Sequence, residues 1–296
     1  MSHAVPLRAR LFVALQYLLP QLLLSGIVGA IARARVRWIR IPLIRAFVRA
    51  YRPELQDAKQ PDPLAYASFN AFFTRALRPD ARPIAAAPDV ISSPVDGRVS
   101  ALGTIDRGRI IQAKGRDYSL LELLAGNAAL AERLSGGSFL TAYLAPFNYH
   151  RIHMALAGSL VGAWYIPGRL YSVNEATSRL VPGLFARNER VVLEFAGERA
   201  AHVLVMVGAL FVGSMDTVWH GTVPRLATRL PCSLRVPEGA DSFRARGAEL
   251  GRFNMGSTVI LLLPPGCARW HGSLAENSTL RMGEAVGTLA AGQARA

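Results

Sequence analysis

The sequence predicts an α+β protein, with an N-terminal helical region over residues 1–88 and a β-rich barrel or sandwich over residues 89–296. Three observations predict it. Residues 11–32 carry no charge and meet the ~20-residue length of a membrane span. Arginines interleaved with apolar residues follow directly. From Asp89 onward the chain changes to short β-type runs punctuated by Gly and Pro, with no alternation of strand and helix, so a doubly wound parallel sheet is not expected.

The N-terminal apolar stretch is interrupted. Pro20 falls near its middle between Gln16 and Gln21, and Ser25-Gly26 and Gly29 weaken its second half. This favours two short helices lying in the membrane interface over one span. No clean small-residue cleavage site of the signal-peptide kind follows. Arg33, Arg35, Arg37, Arg40, Arg45 and Arg49 then alternate with Trp38, Ile39, Ile41, Leu43, Ile44, Phe47 and Val48, and the first acidic residue is Glu54. A basic face opposite an apolar one, with Trp at the boundary, suits an anionic membrane surface; a basic-surfaced helix packed on the protein's own core has the same pattern. If the stretch does span, the arginines after it lie on the cytoplasmic side by the positive-inside rule. Residues 53–63 read as a Pro-punctuated linker. Ser68 then caps a short helix over residues 68–77 with Phe69, Phe72, Phe73 and Ala76 on one face, and three prolines in residues 78–88 close the region.

In the second part, strands are expected at residues 90–93, 97–100, 110–114, 139–144, 151–154, 160–166, 190–195, 202–212 and 259–263, and a helix over 118–134. The run Val259-Ile260-Leu261-Leu262-Leu263 has the character of a fully buried strand, entered through the turn Met255-Gly256-Ser257-Thr258.

Composition narrows the chemistry. Charged residues make up 18% of the chain and the mean hydropathy is +0.23, which favours membrane contact. The net charge is +14, yet of 34 basic residues only Lys59 and Lys114 are lysines. A pyridoxal phosphate enzyme needs a lysine to hold its cofactor, so the scarcity weighs against that class. Cys232 and Cys267 form neither a metal-ligand spacing nor a disulfide framework. No nucleic-acid-binding module accompanies the positive charge, so nucleic acid is not an expected partner.

Asp96, in Val95-Asp96-Gly97, is by itself a hairpin residue. His150 and His153 would share a helix face, but in an extended chain they point to opposite sides; with no third ligand nearby, no metal site is expected. Read jointly, Asp96, His153 and Ser257 supply the acid, imidazole and hydroxyl that make a serine nucleophilic. Met255-Gly256-Ser257-Thr258 is not the Gly-x-Ser-x-Gly elbow, so a different use of the serine is needed. Hydrolysis of an external ester by this triad and a non-enzymatic lipid-binding β module stand as alternatives.

Several stretches together carry a family resemblance. They are Ser68-Phe69-Asn70-Ala71-Phe72-Phe73-Thr74-Arg75, residues 93–97, Gln112-Ala113-Lys114-Gly115, residues 149–154, Ile166-Pro167-Gly168 with Ser172-Val173-Asn174, residues 185–190, Val212-Gly213-Ser214, and Gly251-Arg252-Phe253 with Gly256-Ser257-Thr258. On these the chain resembles the bacterial, pyruvoyl-dependent, membrane-associated phosphatidylserine decarboxylases over nearly its whole length. Two positions depart from the family pattern: Met255 stands where Leu is usual, and Asn148 where a related form has Asp.

The resemblance implies a self-processing enzyme that makes phosphatidylethanolamine and carbon dioxide from phosphatidylserine. His153, oriented by Asp96, would take the Ser257 proton, and the serine would attack the Gly256 carbonyl, which calls for an uncrowded glycine with an unusual backbone conformation. The chain would split into a β subunit of residues 1–256 and an α subunit of residues 257–296, with Ser257 becoming a pyruvoyl group that binds the substrate amine as a Schiff base. His150 would bind the substrate, near its carboxylate or at the protonation step. A homodimer, peripheral or monotopic on the cytoplasmic face of the inner membrane, is also implied.

Overall fold

A computed structural model describes residues 6–113, 116–211, 214–223, 225 and 230–290. Lys114 and Gly115, the Val212-Gly213 step, and residues 291–296 lie outside the described residues.

The apolar N-terminal stretch forms two helices, α1 (Leu7–Leu18) and α2 (Gln21–Arg33), bent by 94° at Pro20. Proline lacks the N–H that a helix interior uses, and the bend falls at Pro20. Among the described residues no single helix is long and apolar enough to cross a membrane. The residues that interrupt the stretch fasten it to the β-rich part. The Ser172 N–H donates to Gln16 Oε1 at 2.7 Å, the Leu170 N–H to Gln21 Oε1 at 2.8 Å, and the Phe211 N–H to Ser25 Oγ at 3.1 Å. With those residues turned inward, Leu7, Leu11, Leu15 and Leu18 of α1, and Leu22, Leu23 and Ile27 of α2, are left exposed.

Helix α3 (Arg37–Tyr51) packs Ile44 and Phe47 on the phenylalanines of α4 (Phe69–Phe73), so its apolar face belongs in part to the protein's own core. Ser68 caps α4 as expected, accepting from the Ala71 N–H at 3.1 Å. The linker before α4 is tied down: Ala58 bridges to Leu77, and Asp57 pairs with Arg82 at 2.7 Å.

The β-rich part centres on a nine-stranded antiparallel sheet. Its order runs Cys232–Ser233, Gly158–Ile166, Arg190–Ala196, His202–Val207, Ser257–Leu263, Ser138–Leu144, Gly97–Thr104 and Thr279–Leu280, with Phe243–Arg244 also on Gly158–Ile166. Among the described residues its ends do not pair with each other, so the sheet stays open as one layer of a sandwich and forms no closed barrel. Successive side chains of Ser257–Leu263 enter two different cores. Val259, Leu261 and Leu263 meet Ile152, Leu250 and Phe253 of a four-stranded sheet and Ile91 and Val286 of a three-stranded one. Ile260 and Leu262 face Leu120, Leu130, Leu184 and Phe185, and Val13 of α1 joins the same cluster. Burial on both faces is why this strand reads as an unbroken apolar run instead of an alternating one.

Three expectations are corrected. The helix predicted over residues 118–134 begins as the strand Arg116–Ser119 and divides into Leu120–Leu123 and Ala128–Leu134, because Ala125 and Gly126 adopt φ of 55° and 86°. The strand from His202 stops at Val207. The strand Glu249–Phe253 was not expected, since its Gly251 weakens a strand signal; a Cβ there would lie 2.2 Å from the Asp216 carbonyl oxygen, so glycine is required by close approach.

Candidate active site

The strand Glu249–Phe253 belongs to the four-stranded sheet and Ser257–Leu263 to the nine-stranded one, so residues 254–256 cross between layers. Side chains fix the crossing. Asn254 Nδ2 donates to Ser214 Oγ at 2.6 Å and to Asp216 Oδ1 at 2.8 Å, and Asn70 Nδ2 on α4 donates to Asn254 Oδ1 at 2.9 Å. Arg33 Nη2, at the end of α2, donates to the same Ser214 hydroxyl at 2.6 Å. Met255 packs against the aromatic cluster of α3 and α4. Held on both sides, Met255 takes φ 109°, a conformation that costs a side-chain-bearing residue about 1–3 kcal/mol. The strain expected at Gly256 therefore sits one residue earlier. Gly256 supplies room instead: a Cβ there would meet nothing within 4 Å.

Ser257 is fully buried, and its hydroxyl has no hydrogen-bond partner among the described residues. It lies opposite Leu144, and the register of the next pair sets Gly97 on the other side of Leu144. Two strand spacings, about 10 Å, thus separate the Asp96-Gly97 turn from Ser257. A Cβ at Gly97 would fall 2.4 Å from the Tyr143 carbonyl oxygen, so the turn enters the sheet in close contact with it.

The Asp96 carboxylate is buried against Arg82, whose Nε donates to Oδ1 at 3.0 Å and whose Nη2 donates to Oδ2 at 2.6 Å; the Met282 N–H donates to Oδ1 at 2.8 Å. Asp96 therefore joins the N-terminal region to a residue far beyond Ser257. His153 lies in the same neighbourhood, because its backbone N–H donates to the Pro94 carbonyl at 2.9 Å. Its Nδ1 faces the Gly247 carbonyl at 2.8 Å, which requires the proton on Nδ1 and leaves the Nε2 lone pair to accept from the Tyr149 hydroxyl at 3.0 Å. Burial lowers the His153 pKa against the opposing Gly247 hydrogen bond, so the ring is a neutral base at pH 7.

The structure does not make the contact expected between Asp96 and His153. The Gly247 carbonyl takes the Nδ1 proton, and the Asp96 charge reaches the ring only through space. Nor are His153 and Ser257 hydrogen-bonded, since Nε2 is on Tyr149 and the Ser257 hydroxyl is without a partner.

His150 points elsewhere, as extended geometry predicts. Its ring lies 4.1 Å from that of Phe73, its Nδ1 is 2.8 Å from the Asn148 carbonyl, and its Nε2 is buried without a partner. Its own carbonyl accepts from the Phe253 N–H at 3.1 Å, which sets it at the end of the ladder beside the 254–256 crossing. Burial, with the nearby Arg75 charge, pushes its pKa down to about 3, so His150 is not an imidazolium able to hold a carboxylate near neutrality.

A cleft of about 340 Å³ is lined by Arg75, Asp96, Arg98, Asn148, Tyr149 and Arg281, among others. Tyr149 and Arg75 fall inside the motif stretches, but their contacts were not foreseen. Arg82 and Gly247 left no local signal, because their partners are 14 and 94 residues away.

This is an α+β chain whose serine is buried at the start of a central strand, behind a strained turn whose preceding strand pairs with Arg151–His153, instead of standing exposed on a hydrolase elbow. The family model described as phosphatidylserine decarboxylase matches residues 69–288, and a second, described as PSD, matches residues 11–52. The chain is similar to the phosphatidylserine decarboxylase proenzyme of Pseudomonas fluorescens, at 48% identity over 283 residues, covering 95% of this chain and 98% of that one. Its similarity to the proenzyme of the same name from Pseudomonas putida is 49% over 280 residues (94% and 97%), and to that from Azotobacter vinelandii 48% over 286 residues (95% and 99%). The chain belongs to the phosphatidylserine decarboxylase family.

Proposed function

We propose that the chain is a self-processing, pyruvoyl-dependent carboxy-lyase that converts phosphatidylserine to phosphatidylethanolamine and carbon dioxide. The observation that carries this reading is Ser257, buried with a free hydroxyl directly after the strained Met255 and the uncrowded Gly256.

His153 Nε2 accepts the Ser257 hydroxyl proton once that hydroxyl takes the place of the Tyr149 hydroxyl on the ring; strain at Met255 and space at Gly256 favour such a shift of the turn. The serine oxygen attacks the Gly256 carbonyl carbon, the C–N bond breaks as the proton passes to nitrogen, and an ester results. Removal of the residue-257 Cα proton expels the Gly256 carboxylate and leaves a dehydroalanine with a free amine. Water then replaces that nitrogen, ammonia leaves, and a pyruvoyl group heads residues 257–296. Asp96 stabilises the imidazolium formed on the way by its charge, held in place by Arg82 and Met282. The strand from Ser257 keeps its pairing with Ser138–Leu144 and His202–Val207 through this break, so the α and β subunits stay together.

The pyruvoyl group supplies a carbonyl that holds the substrate amine and takes up the electron pair released with carbon dioxide. Ser257 fits as its precursor because no other group competes for the hydroxyl. His150, protonated on Nδ1, offers its Nε2 lone pair as an acceptor for the substrate amine. The exposed leucines of α1 and α2, with the arginines that follow, set the molecule on an anionic membrane surface, the cytoplasmic face of the inner membrane. The family resemblance supports a homodimer there.

Denaturing gels and mass analysis of the purified protein test the reading. Fragments 1–256 and 257–296 are expected, the second with a blocked N-terminus. Ser257→Ala and His153→Ala stay intact, and His150→Ala still cleaves but releases little carbon dioxide. An intact wild-type chain that decarboxylates phosphatidylserine sinks the pyruvoyl mechanism.

A further inference from the structure

Arg75 differs from the other buried arginine of the cleft. Arg82 directs its donors at Asp96 and Asp57, at 2.6 and 2.7 Å. Arg75 is 3% exposed and donates only from Nη2, to the Phe147 carbonyl at 3.3 Å, with its guanidinium 5.7 Å from the Phe72 ring centre. Its Nε and Nη1 are buried with no hydrogen-bond partner among the described residues. A guanidinium stays protonated under ordinary conditions, and a buried positive charge with unused donors is unfavourable unless an anion completes it.

The position of Arg75 says which anion. It lines the cleft together with Asp96 and with Tyr149, the hydroxyl partner of His153. It directly follows α4, whose Phe73 lies on His150, so one short helix positions both the arginine and the histidine. His150 is neutral and its open Nε2 is an acceptor, which suits an amine and not an acid. A serine head group brings an amine and two anionic groups, and the acceptor and the unpaired donors are separate side chains here. Building on the proposed decarboxylase activity, we propose that Arg75 binds an oxyanion of the serine head group, its carboxylate or its phosphodiester, as it enters the cleft. Arginine donors match either group, and a charge-assisted hydrogen bond would replace the missing partners.

Arg75→Gln and Arg75→Lys, made in the full-length enzyme, test this in detergent mixed micelles. Cleavage on a denaturing gel and the melting temperature report folding. Arg75→Gln should raise the KM for phosphatidylserine about 10- to 100-fold, the range expected for losing hydrogen bonds to a charged group, and Arg75→Lys should raise it less. Phosphatidylethanolamine, used as a competitor, keeps the phosphodiester and lacks the carboxylate. If its inhibition constant rises by the same factor, Arg75 meets the phosphodiester; if it does not move, Arg75 meets the carboxylate. Calorimetric binding of glycerophosphoethanolamine to the cleaved enzyme repeats the phosphodiester arm without turnover. A wild-type KM in the cleaved variants, or a fall in kcat with KM unmoved, overturns the assignment and leaves Arg75 a structural residue. Should Arg75→Gln fail to fold, Arg75→Lys decides by the same comparison. A wild-type enzyme that releases no carbon dioxide from phosphatidylserine overturns the underlying reading instead.

Discussion

Replacing Arg82 by Met should cripple the chain although Arg82 does not touch Ser257. The Asp96 carboxylate receives Arg82 Nε at 3.0 and 3.2 Å, Arg82 Nη2 at 2.6 Å and the Met282 N–H at 2.8 Å. Removing Arg82 leaves the backbone donor alone, with side-chain exposure at Asp96 of only 9%. Stranding one member of a buried ion pair costs about 3–5 kcal/mol, whereas removing both members is often nearly neutral. Measured in the uncleaved Ser257→Ala background, Arg82→Met should therefore lower the melting temperature by roughly 6–15 °C. Asp96→Asn should also fall, because it leaves the buried Arg82 with only Asp57 at 2.7 Å and the exposed Glu54 at 4.0 Å as charged partners. The double variant should be less destabilised than the sum of the two by about 3 kcal/mol. With Ser257 restored, Arg82→Met should also slow self-cleavage, since the Asp96 charge loses its anchor. Additive effects in the double variant, or single variants within about 1 kcal/mol of the parent, would refute the view that the pair is one buried unit.

Two further outcomes follow from buried polar groups. His150 and His202 are fully buried, and burial lowers their pKa values to about 3 and about 4. Both lie below the ~6.5 of an unfolded histidine, so below that pH the unfolded chain binds more protons and stability falls as pH falls; at pH 5 each contributes a loss of about 2 kcal/mol relative to pH 8. His153 acts in the same direction. His202→Phe, which keeps the ring stacked on Phe195, should flatten the melting-temperature profile between pH 6.5 and 4, and an unchanged slope counts against the assignment. In the N-terminal region, Gln16→Leu with Gln21→Leu removes the acceptors of the Ser172 and Leu170 N–H groups, at about 1–3 kcal/mol for each donor left unpaired. Limited proteolysis should then cut α1–α2 faster; an unchanged rate means these glutamines do not hold the helices down.

Much of the architecture was legible because the physics behind it is local. Pro20 removes an N–H donor where the apolar stretch bends, and Ser68 caps α4 through its own third neighbour. The strand at Val259 announces itself because both of its faces are buried. The strand Glu249–Phe253 did not, because the reason for its Gly251 is a backbone carbonyl of a strand more than 30 positions earlier. The division of the predicted helix does leave a local mark, Gly126 as a stop and Asn127 as the next N-cap, whose Oδ1 accepts from the Leu130 N–H at 3.1 Å.

The site shows the same split. The inventory was legible in the residues: a carboxylate at 96, imidazoles at 150 and 153, a glycine and a serine at 256 and 257, and only two lysines, which is compatible with an electron sink other than pyridoxal phosphate. What each group faces was set by the packing of distant elements. It gave the His153 proton to Gly247 and Asp96 to Arg82, set the strain on Met255, and left Ser257, His150 and Arg75 with unused hydrogen-bonding atoms. The reason is physical: a residue type fixes which protons and charges are available, whereas hydrogen-bond partners and burial depend on which distant strands and helices the fold packs together.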